Sequence, residues 1–150
     1  MGFTGNLKIS SPICHLRAVP WPKRTILVAE DSADSREMLQ VLLEMKGYAV
    51  VSASDGYHAV EVAVQNIPDL ILIDLQLPGL NGLSVTKELR LHPELQAVPI
   101  ILISGHDPVK YRTEALSAGC DDYLLKPIDF ERLDQILHER IPKAVRARCA

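Results

Sequence analysis

Four apolar runs in this sequence end in polar side chains capable of chemistry. Glu30 and Asp31 follow "TILVA", Asp74 closes "LILID", Ser104 closes "IILIS", and Lys126 follows "YLL". A charged group at the end of a run built for burial is costly unless it is paired, hydrogen-bonded or bound to metal. Turn caps would accept Asn, Gly or Thr as readily at these places, so three carboxylates and a lysine together point to a site. Two carboxylates about 4 Å apart repel by roughly 4 kcal/mol at an effective dielectric near 20. A cluster of Glu30, Asp31 and Asp74 would therefore hold a proton or recruit a cation. Magnesium suits an all-oxygen donor set, and no Cys or His cluster competes for a softer metal. With magnesium and Lys126 neutralising charge, a carboxylate can act as nucleophile toward a phosphoryl group, and Ser104 can donate its hydroxyl to the phosphoryl oxygens.

Such a site needs elements that bring the four ends together. The runs at 25–29, 49–53, 70–74, 100–104 and 123–125 read as strands, three of them nearly continuous and rich in Ile, Leu and Val, which suits parallel strands covered on both faces. Between them lie helical patterns: Met38, Val41, Leu42 and Met45; Ala59, Val60, Ala63 and Val64; Leu83 with Val85 to Leu89; Tyr111, Ala115 and Ala118; and Phe130, Leu133, Ile136 and Leu137. Gly47 follows the first helix, Asp107-Pro108 opens the fourth, Gly119 closes it, and Asp129 caps the fifth. Five strand-helix units imply right-handed crossovers and a parallel sheet with helices on both faces. Ligands of such sheets bind beyond the carboxyl ends of the strands, where all four polar stations fall.

The 150 residues suffice for one domain, and a net charge of −3 with a pI near 5.9 gives no reason to expect nucleic acid. Cys14, Cys120 and Cys149 are odd in number and far apart, which suggests neither a disulfide framework nor a zinc site and fits a cytoplasmic setting. Residues 1–23 read as a flexible tail, 24–141 as the domain, and 142–150 as a short basic tail. The leader has no apolar core of signal-peptide type, no window approaches a membrane span, and Asn6 stands where a myristoylation motif wants Ser or Thr. His15, His58, His92 and His138 have no partners at ligand spacing and read as solvated or packing residues.

The motifs "ILVAEDSADSREML", "DLILIDLQLPGLNGL", "VPIILISG" and "AGCDDYLLKPIDFERL" resemble the receiver domains of two-component response regulators over about residues 24–138. Their separations agree too: 43 residues from Asp31 to Asp74, 30 more to Ser104 and 22 more to Lys126. The resemblance implies a doubly wound flavodoxin-like (CheY-like) α/β fold with strand order 2-1-3-4-5. It implies Asp74 as phosphoacceptor, Glu30 and Asp31 as the acidic pair at a Mg2+ site with the Gln76 carbonyl as a further ligand, Ser104 as switch hydroxyl, Lys126 as phosphate-binding lysine and Tyr123 as switch aromatic. A cis Lys126–Pro127 bond is expected as well. The implied donor is a histidine kinase or a histidine phosphotransfer protein. Phosphorylation would draw Ser104 in, turn Tyr123 inward and change the face made by helix four, strand five and helix five. Gln76 and His106 occupy positions that influence phosphoryl lifetime in the family, although His106 read on its own is a solvated loop histidine beside Asp107.

Two other readings stay open at this point. A haloacid-dehalogenase-like phosphatase would place a second Asp two residues after its nucleophile, where this chain has Gln76. A phosphorylation-independent interaction module on the same fold would be favoured by loss of Asp74, Lys126 or the acidic pair, and none is lost. The few residues after the last helix leave no room for an effector, so output is expected through a partner, a homodimer or an onward phosphorelay. Lys110, Arg112, Glu114, Asp121, Asp122 and Arg132 could pair across a dimer or form an ordinary solvated surface.

Overall fold

A computed structural model describes residues 23–141; the readings made for both tails fall almost wholly outside the described residues. Five strands, β1 (Thr25–Ala29), β2 (Ala49–Ala53), β3 (Leu70–Asp74), β4 (Ile100–Ser104) and β5 (Asp122–Leu125), alternate with five helices. These are α1 (Ala33–Met45), α2 (Gly56–Asn66), α3 (Gly82–Leu89), α4 (Pro108–Ala118) and α5 (Phe130–Arg140), with a 3-10 turn at Pro93–Leu95 that the sequence pattern did not announce. All strand pairs are parallel, in the order β2-β1-β3-β4-β5. The expected strand order is the one observed. No helix among the described residues is long and apolar enough to cross a membrane.

Successive residues of a strand point to opposite faces, and here each face has its own core. Leu27, Ile71, Ile73, Ile100 and Leu102 pack with Ala59, Ala63, Val85 and Leu89 under α2, α3 and α4. Ile26, Val28, Leu70, Leu72, Ile101 and Ile103 pack with Leu39 and Leu43 of α1 and Leu133, Ile136 and Leu137 of α5. Each fully buried Leu or Ile contributes about 1.5–3 kcal/mol, so β3 and β4, buried at every position, anchor the sheet. The strand ends are thereby fixed in space, which is what a site assembled from four of them requires.

The helix boundaries follow from named side chains. Ser32, Asp55, Asn81, Asp107 and Asp129 each accept a backbone N–H of the first turn they cap. Gly119 ends α4 at φ 110°, where a side chain would be strained. One stripe differs from its sequence reading. In α1 the buried residues are Leu39 and Leu43, while Met38, Val41 and Met45 are exposed.

Arg90, at the end of α3, was assigned nothing by the sequence pattern, yet it ties together four segments. Its guanidinium donates to the carbonyls of Gly119 (3.0 Å), Leu95 (2.7 Å) and Val98 (2.8 Å) and to Asp121 Oδ2 (2.9 Å). Asp121 Oδ2 also accepts the Ile100 N–H at 2.8 Å, fixing the start of β4. Removing one partner of a buried hydrogen bond leaves the other unsatisfied. Arg90→Ala is accordingly expected to lower the unfolding free energy by ~2–3 kcal/mol in urea denaturation, without weakening cation binding at the opposite end of the sheet; a change below ~0.5 kcal/mol would contradict this role.

Candidate functional site

β1 and β3 are neighbours in the sheet and end beside each other. Glu30, just past β1, and Asp74, the last residue of β3, are both buried, at 3% and 4% exposure, whereas Asp31 is exposed. One carboxylate oxygen from each of Glu30, Asp31 and Asp74 lies within 4.8 Å of the others. Lys126, past the end of β5, reaches across β4 to this cluster. Its Nζ is 2.6 Å from Asp74 Oδ2 and 3.3 Å from Glu30 Oε2.

Backbone groups hold the carboxylates in place. Asp74 Oδ1 accepts the Gln76 N–H at 2.9 Å, and Glu30 Oε1 accepts the Ser32 N–H at 3.1 Å. The Glu30 N–H in turn donates to the Ala53 carbonyl at the end of β2, 3.0 Å away. Arg36, in α1, donates to the Glu30 carbonyl at 2.7 Å and braces the turn that carries the acidic pair. Sequence reasoning did not find Arg36. Its partner is a main-chain oxygen, and such contacts leave no residue-type signature.

Ser104, the last residue of β4, is 1% exposed, and its Oγ accepts the His106 N–H at 3.0 Å. The Lys126 N–H donates to the Ser104 carbonyl at 2.8 Å, and the Lys126–Pro127 bond is cis. Tyr123, on β5, is half-buried, and its hydroxyl donates to the His106 carbonyl at 3.0 Å. Tyr123 thus touches the β4–α4 loop and not the carboxylates. His106 is also more engaged than a solvated loop histidine: its Nε2 is 2.8 Å from Gln76 Nε2, and its ring lies 5.1 Å from that of Tyr111.

Among the described residues three carboxylates face one ammonium, and Glu30 titrates high in this buried setting. Burial, then the hydrogen bond and charge of Asp74, push Glu30 from 4.5 up to about 7, against the lowering effects of the Ser32 N–H and of Lys126. Burial by itself would lower Lys126, but its hydrogen bond and charge interaction with Asp74, reinforced by Glu30, outweigh it and raise the ammonium's pKa. A donor set of three carboxylates fits a hard divalent cation such as Mg2+. Glu30, Asp31 and Asp74 supply the carboxylates, and the Gln76 carbonyl lies in the loop that follows Asp74.

Residues 26–138 match the family described as response regulator receiver domain. The chain is similar to the receiver domain of the sensor histidine kinase PA1611 from Pseudomonas aeruginosa, solved with a magnesium ion in its active-site cleft: 35% identity, a TM-score of 0.74, and coverage of 80% of this chain and 98% of that one. It is also similar to the chemotaxis protein CheY4 of Vibrio cholerae, at 26% identity and a TM-score of 0.75 over 79% of this chain and 99% of that one. Among curated relatives, the probable transcriptional regulator ycf27 of Guillardia theta is 37% identical over 75% of this chain and 43% of its own length. Protein PilH of Pseudomonas aeruginosa is 36% identical over 72% of this chain and 89% of its own length. The chain thus spans less than half of regulators such as ycf27 and most of PilH.

Because Glu30 titrates higher in the folded chain than in the unfolded one, folding takes up a proton between pH 4.5 and about 7. This group's stabilising contribution in the metal-free protein is complete below pH 4.5 and lost as pH rises through about 7. A cation at the carboxylates competes with that proton. Mg2+ affinity is therefore expected to rise from about pH 6 to pH 8, with release of up to about one proton per ion at the lower pH. Calorimetry in buffers of different ionisation enthalpy reads this directly; an affinity and heat independent of pH and buffer would contradict it.

Proposed function

The chain belongs to the response regulator receiver domain family of two-component signalling, and we propose that Asp74 is the residue on which it accepts a phosphoryl group. Members of this family are phosphoacceptor switches and not turnover enzymes. The observation that carries the assignment is the Asp74 carboxylate itself: buried at a strand end, 2.6 Å from the Lys126 ammonium and clustered with Glu30 and Asp31.

In the proposed reaction an Asp74 carboxylate oxygen attacks the phosphorus of a phosphohistidine. The O–P bond forms as the N–P bond breaks, and the bonding pair leaves with the imidazole nitrogen. Lys126, already bonded to Asp74, is placed to balance charge that develops on the phosphoryl oxygens, and the Ser104 hydroxyl can donate to them. A bound Mg2+, held by Glu30, Asp31, Asp74 and the Gln76 carbonyl, would supply further charge neutralisation.

The same residues support a switch. Moving the Ser104 hydroxyl toward a phosphoryl group would disturb the bond it accepts from the His106 N–H, and His106 also carries the carbonyl that holds the Tyr123 hydroxyl. The phosphoryl group can shift the balance between two arrangements only through such differential contacts. We assign Tyr123 the role of reporting the state of Ser104 to the face formed by α4, β5 and α5. The bridge between Gln76 and His106 supports their assignment as the residues that set phosphoryl lifetime.

A receiver domain implies a histidine kinase as its partner in signalling. We further propose that a histidine phosphotransfer protein can serve as donor, that output goes to an effector or second copy through the α4-β5-α5 face, and that the setting is cytoplasmic. On that face Asp122 is already bonded to Arg132 at 2.9 Å, and Asp121 to Arg90. The acidic pair there is therefore engaged within the chain, which favours an effector over a dimer built on those two aspartates.

Incubation with acetyl phosphate and Mg2+ is expected to add one phosphoryl group by intact mass. The adduct should be absent from Asp74→Asn and from the chelated wild type. An adduct on Asp74→Asn, or none on a wild type shown to bind Mg2+, would contradict the assignment.

A further inference from the structure

The carbonyl of Gln76 can serve a cation only if the loop from Leu75 to Asn81 is held still. Both ends of that loop are tethered within the site. The Leu75 N–H donates to Ile103, the Gly82 N–H to Leu75, each at 2.8 Å, and the Gln76 N–H to Asp74 Oδ1. Its crest, Pro78 to Leu80, lies beyond these bonds and rests on the start of α2.

Three contacts make that seat. The Gly56 N–H donates to the Pro78 carbonyl at 3.0 Å. The space a side chain at Gly56 would need is filled by the Leu80 carbonyl and Cβ. The ring of Tyr57 lies on Gly79, which has φ +81°; a Cβ there would sit 2.8 Å from the ring's Cδ2 and 3.0 Å from its Cε2. Tyr57 is 65% exposed and is not among the residues packed on either core, so its ring does little for the fold as a whole. The same corner begins at Ala53, whose carbonyl takes the Glu30 N–H. Ala53, Gly56 and Tyr57, close together in the chain, thus contact both the turn that carries Glu30 and the loop that follows Asp74.

We propose that Gly56 and Tyr57 form a positioning clamp on the loop Leu75–Asn81, and that Tyr57 sets how tightly the pocket takes a divalent cation. The proposal rests on the reading of Glu30, Asp31, Asp74 and the Gln76 carbonyl as the ligand set. Ordering a loop residue costs conformational entropy. A clamped loop meets that cost on folding and not on binding, so its carbonyl is pre-organised for the ion. Without the ring, the crest is free to move and the ordering cost falls on the binding step. Partners that orient a ligand from behind typically change metal affinity by about 10–100-fold, and an exposed ring belongs at or below the lower end of that range.

The test is a Mg2+ titration followed through the backbone amide shifts of Asp74 and Gln76, on wild type, Tyr57→Ala and Tyr57→Phe, alongside metal-free urea unfolding. Tyr57→Ala is expected to weaken Mg2+ binding by about five- to tenfold, and Tyr57→Phe, which keeps the ring, by less than about twofold, with unfolding midpoints unchanged. Equal affinities for wild type and Tyr57→Ala would overturn the clamp alone. So would a Tyr57→Phe as weak as Tyr57→Ala, or a loss of affinity that tracks an equal loss of metal-free stability. A wild type whose amides show no response to Mg2+ would overturn the ligand set together with the clamp.

Discussion

The fold has to keep three carboxylates in one small pocket against a single ammonium. Glu30 and Asp74 are buried, Asp31 stands beside them, and Lys126 is the cation that reaches Asp74 and Glu30. Burying the carboxylates of Glu30 and Asp74 carries a desolvation cost of roughly several kcal/mol. The arrangement is explained by what it does: it holds a site short of positive charge, which a divalent ion can complete. Burial first, and then the hydrogen bond and charge of Asp74, raise the pKa of Glu30 in this pocket.

Everything else positions those groups. The β1–β3 adjacency sets Glu30 beside Asp74, and β4 and β5 bring Ser104 and Lys126 to the same edge. Because the strands are covered on both faces, their ends cannot slide without exposing Ile or Leu, so the apolar core fixes the polar geometry. Around that edge, Arg36 and the Gly56–Tyr57 corner hold loops that the sheet itself does not reach. His106 joins the Ser104 hydroxyl, the Tyr123 hydroxyl and the Gln76 side chain through one residue, and the proposed route from acceptor to output face runs through it.

Much of this was legible in the sequence, for identifiable reasons. "LILID" and "IILIS" suit strands buried on both sides, and a carboxylate or hydroxyl closing each run pointed to a functional edge. The caps at Asp107 and Asp129 and the helix stop at Gly119 were equally plain. The face of α1 was less so: Met38, Val41, Leu42 and Met45 have helical spacing, but Leu39 and Leu43 are the fully buried residues, with Leu42 partly packed on the same core. Periodicity identified the helix without choosing its face, because both stripes are apolar. Arg90, Arg36 and Tyr57 were invisible for a different reason. Each acts on backbone, a carbonyl or a glycine, and residue types record nothing of that.

The claim that the pocket is a charge imbalance awaiting a cation is tested most directly by unfolding free energy as a function of Mg2+ concentration at about pH 8. Binding to the folded state alone adds about 2.7 kcal/mol at a hundred times Kd and grows logarithmically beyond. The wild type is predicted to follow that curve and Asp31→Ala to depart from it, with little or no gain. A wild-type stability indifferent to Mg2+, or an equal gain in Asp31→Ala, would contradict the account.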